Sequence, residues 1–101
     1  SYKAQLNANC QFLNQMVRDN SLLAITSSDG GLFSFMEISK TGLTSDEFAA
    51  HLLEREGVAA TPGIIFGKNW DSYIRISLAI NSSLFSEGIS RMDQFTKSLD
   101  I

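Results

Sequence analysis

The sequence predicts an α+β fold, a small, mainly antiparallel sheet with helices packed on it, in the order α-β-β-α-β-β-α. Three observations predict it. In SYIRISLAI, Ile74, Ile76, Leu78 and Ile80 alternate with Tyr73, Arg75, Ser77 and Ala79, the period of a strand with one apolar face. Around residues 44–57, helix start and stop signals agree. At the N-terminal end, Leu6, Cys10, Leu13 and Val17 fall at helical spacing, with Phe12 and Met16 widening the stripe.

Taken in order, the first helix covers residues 2–19. It lacks a clear N-cap, and a helix that begins at the first residue reads as the continuation of something longer. LLAIT, 22–26, is a short strand, and SSDGG, 27–31, is a turn because Asp-Gly and Gly-Gly supply positive φ cheaply. LFSFMEI, 32–38, is a second strand, followed by a loop at 39–42. Thr44 and Glu47 then form a capping box, with Leu43 and Phe48 placed as a hydrophobic staple. That helix runs to about Glu56 with Phe48, Leu52 and Leu53 inward, and Gly57 ends it with Val58 placed against Leu53. VAAT, 58–61, is a short strand, and PGIIFGKNWD is a loop. The strand 73–80 follows, then cap candidates in Asn81–Ser83. The last helix runs from about Leu84 to Leu99, with Phe85, Ile89, Met92, Phe95 and Leu99 as its stripe. Gly88 inside it costs ~1 kcal/mol relative to Ala. The strands 32–38 and 73–80 are expected at the centre of the sheet.

With 101 residues the chain has the size of one domain, and 44% hydrophobic content supports a small core. A net charge of −3 with scattered Lys and Arg offers no basic stripe for nucleic acid. No apolar run approaches the ~20 residues of a membrane span, and the first residues lack a signal-peptide pattern. One cysteine, Cys10, excludes an internal disulfide framework, and with the single histidine it argues against a zinc site. The expected location is the cytoplasm.

Arg75 is the oddity, a cation in mid-strand with no nearby acid in sequence. A solvated strand arginine with a weak surface ion pair explains it without function. The sharper reading is an anion anchor, because a guanidinium matches a carboxylate with two parallel hydrogen bonds and a strand holds it still. The TPGIIFG segment is either a connection shaped by Pro and Gly or a site loop carrying Phe66. His51 reads as a half-exposed structural residue, Cys10 as a small core residue, and Lys40 and Lys68 as solvated loop lysines. The DGG run is explained by a turn rather than a phosphate cradle. Trp70 is either a loop anchor or an exposed aromatic.

The run LLEREGVAATPGIIFG followed by SYIRISLAINSSLFSEGISRM resembles the C-terminal segment of class I/II aminotransferases, the fold-type I pyridoxal-phosphate enzymes. These show a helix ending Leu-Leu-x-x-x-Gly-Val, then Pro-Gly-x-x-Phe-Gly. A strand with Tyr/Phe-x-Arg-hydrophobic-Ser and a final helix follow. GGLFSF resembles their Gly-Gly-x-Phe strand entry, although Asp29 stands where a proline usually precedes the glycine pair. The resemblance covers about residues 2–99. It implies that residues 1–101 are a single domain, the small C-terminal domain of an aminotransferase, with the large pyridoxal-phosphate-binding domain outside this chain. It implies that Arg75 binds the α-carboxylate of amino acid and 2-oxo acid substrates, and that Phe66 lies near the site. By the same resemblance the cofactor, an electron sink, belongs to the parent enzyme. The chain then holds no catalytic, cofactor-binding or metal-binding residue, is inactive alone, and comes from a homodimeric parent. A related pyridoxal-phosphate lyase is the alternative within that superfamily. Outside it, the alternative is a free-standing anion-binding or interaction module.

Overall fold

Apolar alternation in two strands builds the sheet from its centre outward. The computed structural model describes residues 2–28 and 31–99. Its elements are α1 (Tyr2–Arg18), β1 (Ala24–Ser28), β2 (Phe33–Glu37), α2 (Ser45–Glu56), β3 (Thr61–Pro62), β4 (Tyr73–Ser77) and α3 (Ser82–Lys97). The strand order is β1-β2-β4-β3, and every neighbouring pair is antiparallel. The two strands expected at the centre are there. Ser34 and Met36 of β2 and Ile74 and Ile76 of β4 point to one face and are buried. Leu13 of α1, Phe48 and Leu52 of α2, and Phe85, Ile89, Met92 and Phe95 of α3 close over that face. Phe48 meets Phe95 edge to face, with ring centroids 5.3 Å apart. The helices therefore form one layer and the sheet the other.

The best-signalled helix forms as its sequence dictates. Thr44 Oγ1 accepts from Glu47 N–H at 3.2 Å, and Glu47 Oε1 accepts from Thr44 N–H at 2.9 Å. Gly57 ends α2 at φ 69°, a left-handed conformation that glycine adopts without Cβ strain. Asn81 caps α3, its side chain accepting from Ser83 N–H at 3.0 Å. That cap starts the helix two residues before the expected Leu84.

Several expectations need correction. Strand β1 begins at Ala24, not residue 22. Buried Asn20 accepts from Leu22 N–H and donates to Asp93 Oδ1 and Thr96 Oγ1, and this holds residues 20–23 in a turn. The turn expected at 27–31 falls partly on residues 29 and 30, which lie outside the described residues. The strand expected at 58–61 is only Thr61–Pro62 and includes the proline. Ile38 N–H bonds Ser72 O and Leu78 N–H bonds Leu32 O, so even-numbered residues of this stretch aim their backbone groups at β2. Pro62 lies opposite Ile74, where no N–H is needed on the β3 side. Strand β4 ends at Ser77 rather than Ile80, with Leu78 N–H its last bond to β2. Asn9 Nδ2 takes over the chain there, donating to Leu78 O at 2.9 Å and Ile80 O at 2.8 Å. Leu53, Phe12 and Ile80, expected inward, are 56%, 40% and 38% exposed.

Candidate functional site: an arginine in an aromatic frame

Arg75 occupies the middle of β4, and the register chooses its neighbours. Phe35 of β2 stands directly opposite on one side and Thr61 of β3 on the other. Period-two geometry puts Phe33, Phe35 and Glu37 of β2 on the same face as Tyr73, Arg75 and Ser77 of β4, the face turned from the helices. The Arg75 guanidinium carbon lies 4.1 Å from the Phe33 ring centroid and 5.2 Å from that of Phe66. Both fall within the range of cation–π attraction.

No described residue pairs a carboxylate with this cation or accepts a hydrogen bond from its fork. The ion pairs among the described residues are Arg91–Glu87 at 2.7 Å and Lys97–Asp93 at 3.0 Å, both within α3. Glu37, the acid on this strand face, stands opposite Tyr73, about 7 Å along the ladder from the Arg75 row. The Phe33 and Phe66 rings are the groups that flank the guanidinium. With no acceptor for them among the described residues, its N–H groups can serve a planar anion.

The loop carrying Phe66 is tied down from below. Residues 63–66 and 68–70 form two 3₁₀ turns rather than irregular chain. Ser45, the buried first residue of α2, donates its hydroxyl to Asp71 Oδ1 at 2.8 Å and its N–H to Asp71 O at 2.8 Å. Ile64 N–H in turn donates to Ser45 Oγ at 3.0 Å. Gly63 is required by close approach, since a Cβ there would lie 2.0 Å from Trp70 O and 2.5 Å from Tyr73 O. The same loop end builds an aromatic chain. Phe66 meets Phe35 at 5.9 Å, Phe35 meets Trp70 at 5.2 Å, and Trp70 meets Tyr73 at 5.2 Å between centroids. Trp70 is thus a loop anchor, although 39% exposed.

Arg75, Thr61 and Ser77 also line a groove of about 620 Å³ between residues 57–61, β4 and α3, with Leu84 and Gly88 on its helical side. That volume lies in the range of small-molecule sites. The other sequence candidates stand apart. Half-buried His51 is on α2, in the helical layer. Cys10 packs against the core from α1, its Sγ accepting from Asn14 Nδ2 at 3.7 Å. Lys40 and Lys68 are exposed. Sequence reading singled out Arg75 and Phe66 but missed Phe33 and Phe35 as their companions. The alternation of LFSFMEI held the signal, because it puts both rings on one strand face. Trp70 carried no such signal, since its partners are set by the loop's tertiary anchoring.

Comparison with known proteins agrees with this architecture. A family profile described as "Aminotransferase class I and II" matches residues 1–92. An aspartate aminotransferase of Pyrococcus horikoshii is 27% identical over 92 residues, 91% of this chain and 24% of that protein. The crystal structure of an aromatic aminotransferase from Pyrococcus horikoshii OT3 superposes with a TM-score of 0.78 at 32% identity, covering 95% of this chain and 24% of that one. A PLP-bound crystal structure from Clostridium difficile 630 superposes with a TM-score of 0.85 at 26% identity, over 95% of this chain and 25% of that one. The chain belongs to the class I and II aminotransferase family, and it spans about a quarter of the length of these relatives.

Pyridoxal phosphate, the cofactor the resemblance implies, does not fit the residues of this domain. It is held through a lysine whose amine must be desolvated or set beside another cation. Lys3, Lys40, Lys68 and Lys97 are all exposed. No reaction step is therefore assigned to this chain's own side chains.

Proposed function

We propose that this chain is the C-terminal small domain of a pyridoxal-phosphate-dependent aminotransferase, and that Arg75 binds the α-carboxylate of its amino acid and 2-oxo acid substrates. The carrying observation is the Arg75 guanidinium itself, within 4.1 and 5.2 Å of two ring centroids and with no acid partner among the described residues. Both rings lie within cation–π range of it. Cofactor and lysine belong, in this reading, to the part of the protein outside this chain, and the domain alone is inactive. Its contribution is positional. Fixing the carboxylate while bonds change at the adjacent carbon removes orientational freedom that would otherwise raise the barrier. The reading extends to a homodimeric parent in the cytoplasm. No helix among the described residues is long and apolar enough to cross a membrane.

The test is Arg75→Ala in the full-length protein. Losing a charge-assisted bidentate contact costs on the order of 2–4 kcal/mol, or roughly thirty- to a thousandfold in kcat/KM. Cofactor absorbance should stay near wild type. Unchanged kinetics toward carboxylate substrates would remove the assignment.

A further inference from the structure

The Arg75 guanidinium lies near two rings at unequal distances, and the nearer one belongs to Phe33, the Phe of the Gly-Gly-x-Phe strand entry, to which that resemblance gives no role. Phe33 pairs with Ser77 across the β2–β4 ladder, while Arg75 pairs with Phe35. Phe33 is therefore the diagonal neighbour of Arg75 on one sheet face, within reach of a long side chain. Its ring centroid lies 4.1 Å from the guanidinium carbon, against 5.2 Å for Phe66. The two rings come from independent supports. Phe33 stands on a central strand. Phe66 stands on the loop latched by Ser45 and Asp71 and is braced edge-on by Phe35 at 76° between planes.

We propose that Phe33 is a positioning residue for the substrate carboxylate: with Phe66 it forms an aromatic clamp that fixes the plane of the Arg75 guanidinium. The proposal rests on the reading of Arg75 as the carboxylate anchor. A free arginine side chain turns about several bonds, and a bidentate contact needs its planar fork in one orientation. Two rings at 4.1 and 5.2 Å from the guanidinium carbon restrict the orientations that the fork can take. Phe33 is half-buried and lies on the sheet face opposite the core. Its replacement therefore alters the clamp without opening a hole among Leu13, Phe48 and Phe95.

The experiment uses the full-length protein as wild type, Phe33→Leu, Phe33→Tyr, Arg75→Ala, and the Phe33→Leu/Arg75→Ala double variant. Phe33→Met serves as a second ring-free variant should leucine disturb the strand. The readouts are kcat and KM for an amino donor, and the Kd of pyruvate, a minimal 2-oxo acid, by titration. We expect Phe33→Leu to raise KM and the pyruvate Kd roughly five- to tenfold. We also expect kcat to hold within about twofold and Phe33→Tyr to restore both constants. In the Arg75→Ala background Phe33→Leu should add nothing, because the ring acts only through the guanidinium. Wild-type constants in the ring-free variants, beside a loss in Arg75→Ala, would overturn the clamp and leave the anchor standing. An additional loss in the double variant would assign Phe33 a general structural role and overturn the clamp too. Wild-type pyruvate binding by Arg75→Ala would overturn the anchor reading and the clamp with it.

Discussion

At the scale of single residues, the domain spends its polar groups on geometry. Asn9 is 2% exposed and sits on the buried side of α1, where an apolar residue is the default. Its amide satisfies two carbonyls that β4 leaves open on exit, at Leu78 and Ile80. Nothing in the local sequence announces this, because the partners lie 69 and 71 positions away. Arg75 was legible for the opposite reason, since the period of its own strand places it at mid-face and the absence of a nearby acid marks it. Gly63 shows how a close approach constrains one position. Its hydrogen faces Trp70 O and Tyr73 O at distances no Cβ tolerates. Gly63→Ala must push backbone apart, which predicts a destabilisation of about 3 kcal/mol, readable by urea denaturation. A midpoint unchanged from wild type would contradict the contact. A shift would be accompanied by weaker Trp70 anchoring, visible as a red-shifted tryptophan emission.

At the scale of elements, legibility followed how local the controlling interactions are. Both ends of α2 were readable because a capping box and a glycine stop act within a few residues. Thr44→Ala removes one half of that box and should cost about 1 kcal/mol in denaturant unfolding. A cost indistinguishable from zero would mean that tertiary packing alone sets the helix start. The ends of β1, β3 and β4 were misplaced by two or three residues. Each is decided by a distant partner: the Asn20 network with Asp93 and Thr96, the pairing of Pro62 with Ile74, and Asn9 reaching from α1. The loop between β3 and β4 read as irregular, yet its hydrogen bonds to Ser45 make it a fixed platform for Phe66 and Trp70. Sequence identified its apolar content and asked where it goes. For Phe66 and Trp70 the answer, packing on Phe35 at the outer face of the sheet, needed the fold.

At the scale of the whole molecule, a two-layer domain covers one sheet face with helices and leaves the other rich in aromatic side chains around Arg75. Phe66 and Trp70 are 41% and 39% exposed along that side, and Ile65 in the same loop and Leu84 on α3 are 67% and 65% exposed. Exposed rings and branched chains grouped this way mark a surface made to be covered. The 101-residue chain alone is predicted to self-associate, with apparent mass rising with concentration in light scattering. A clean monomer at high concentration would contradict this, and Phe66→Asp should weaken the association. The proposed parent predicts a longer natural reading frame with a lysine-bearing domain upstream. Fold class, helix faces and the central strands were readable from patterns of period two and period 3.6. The clamp around Arg75 was not, because it joins β2, β4 and the 62–71 loop. The most direct measurement is a structure of the full-length protein with a 2-oxo acid bound. The account predicts its carboxylate in the plane of the Arg75 fork, with two N–O distances of about 2.7–2.9 Å. A carboxylate held by other residues, with Arg75 turned away from it, would contradict the central claim.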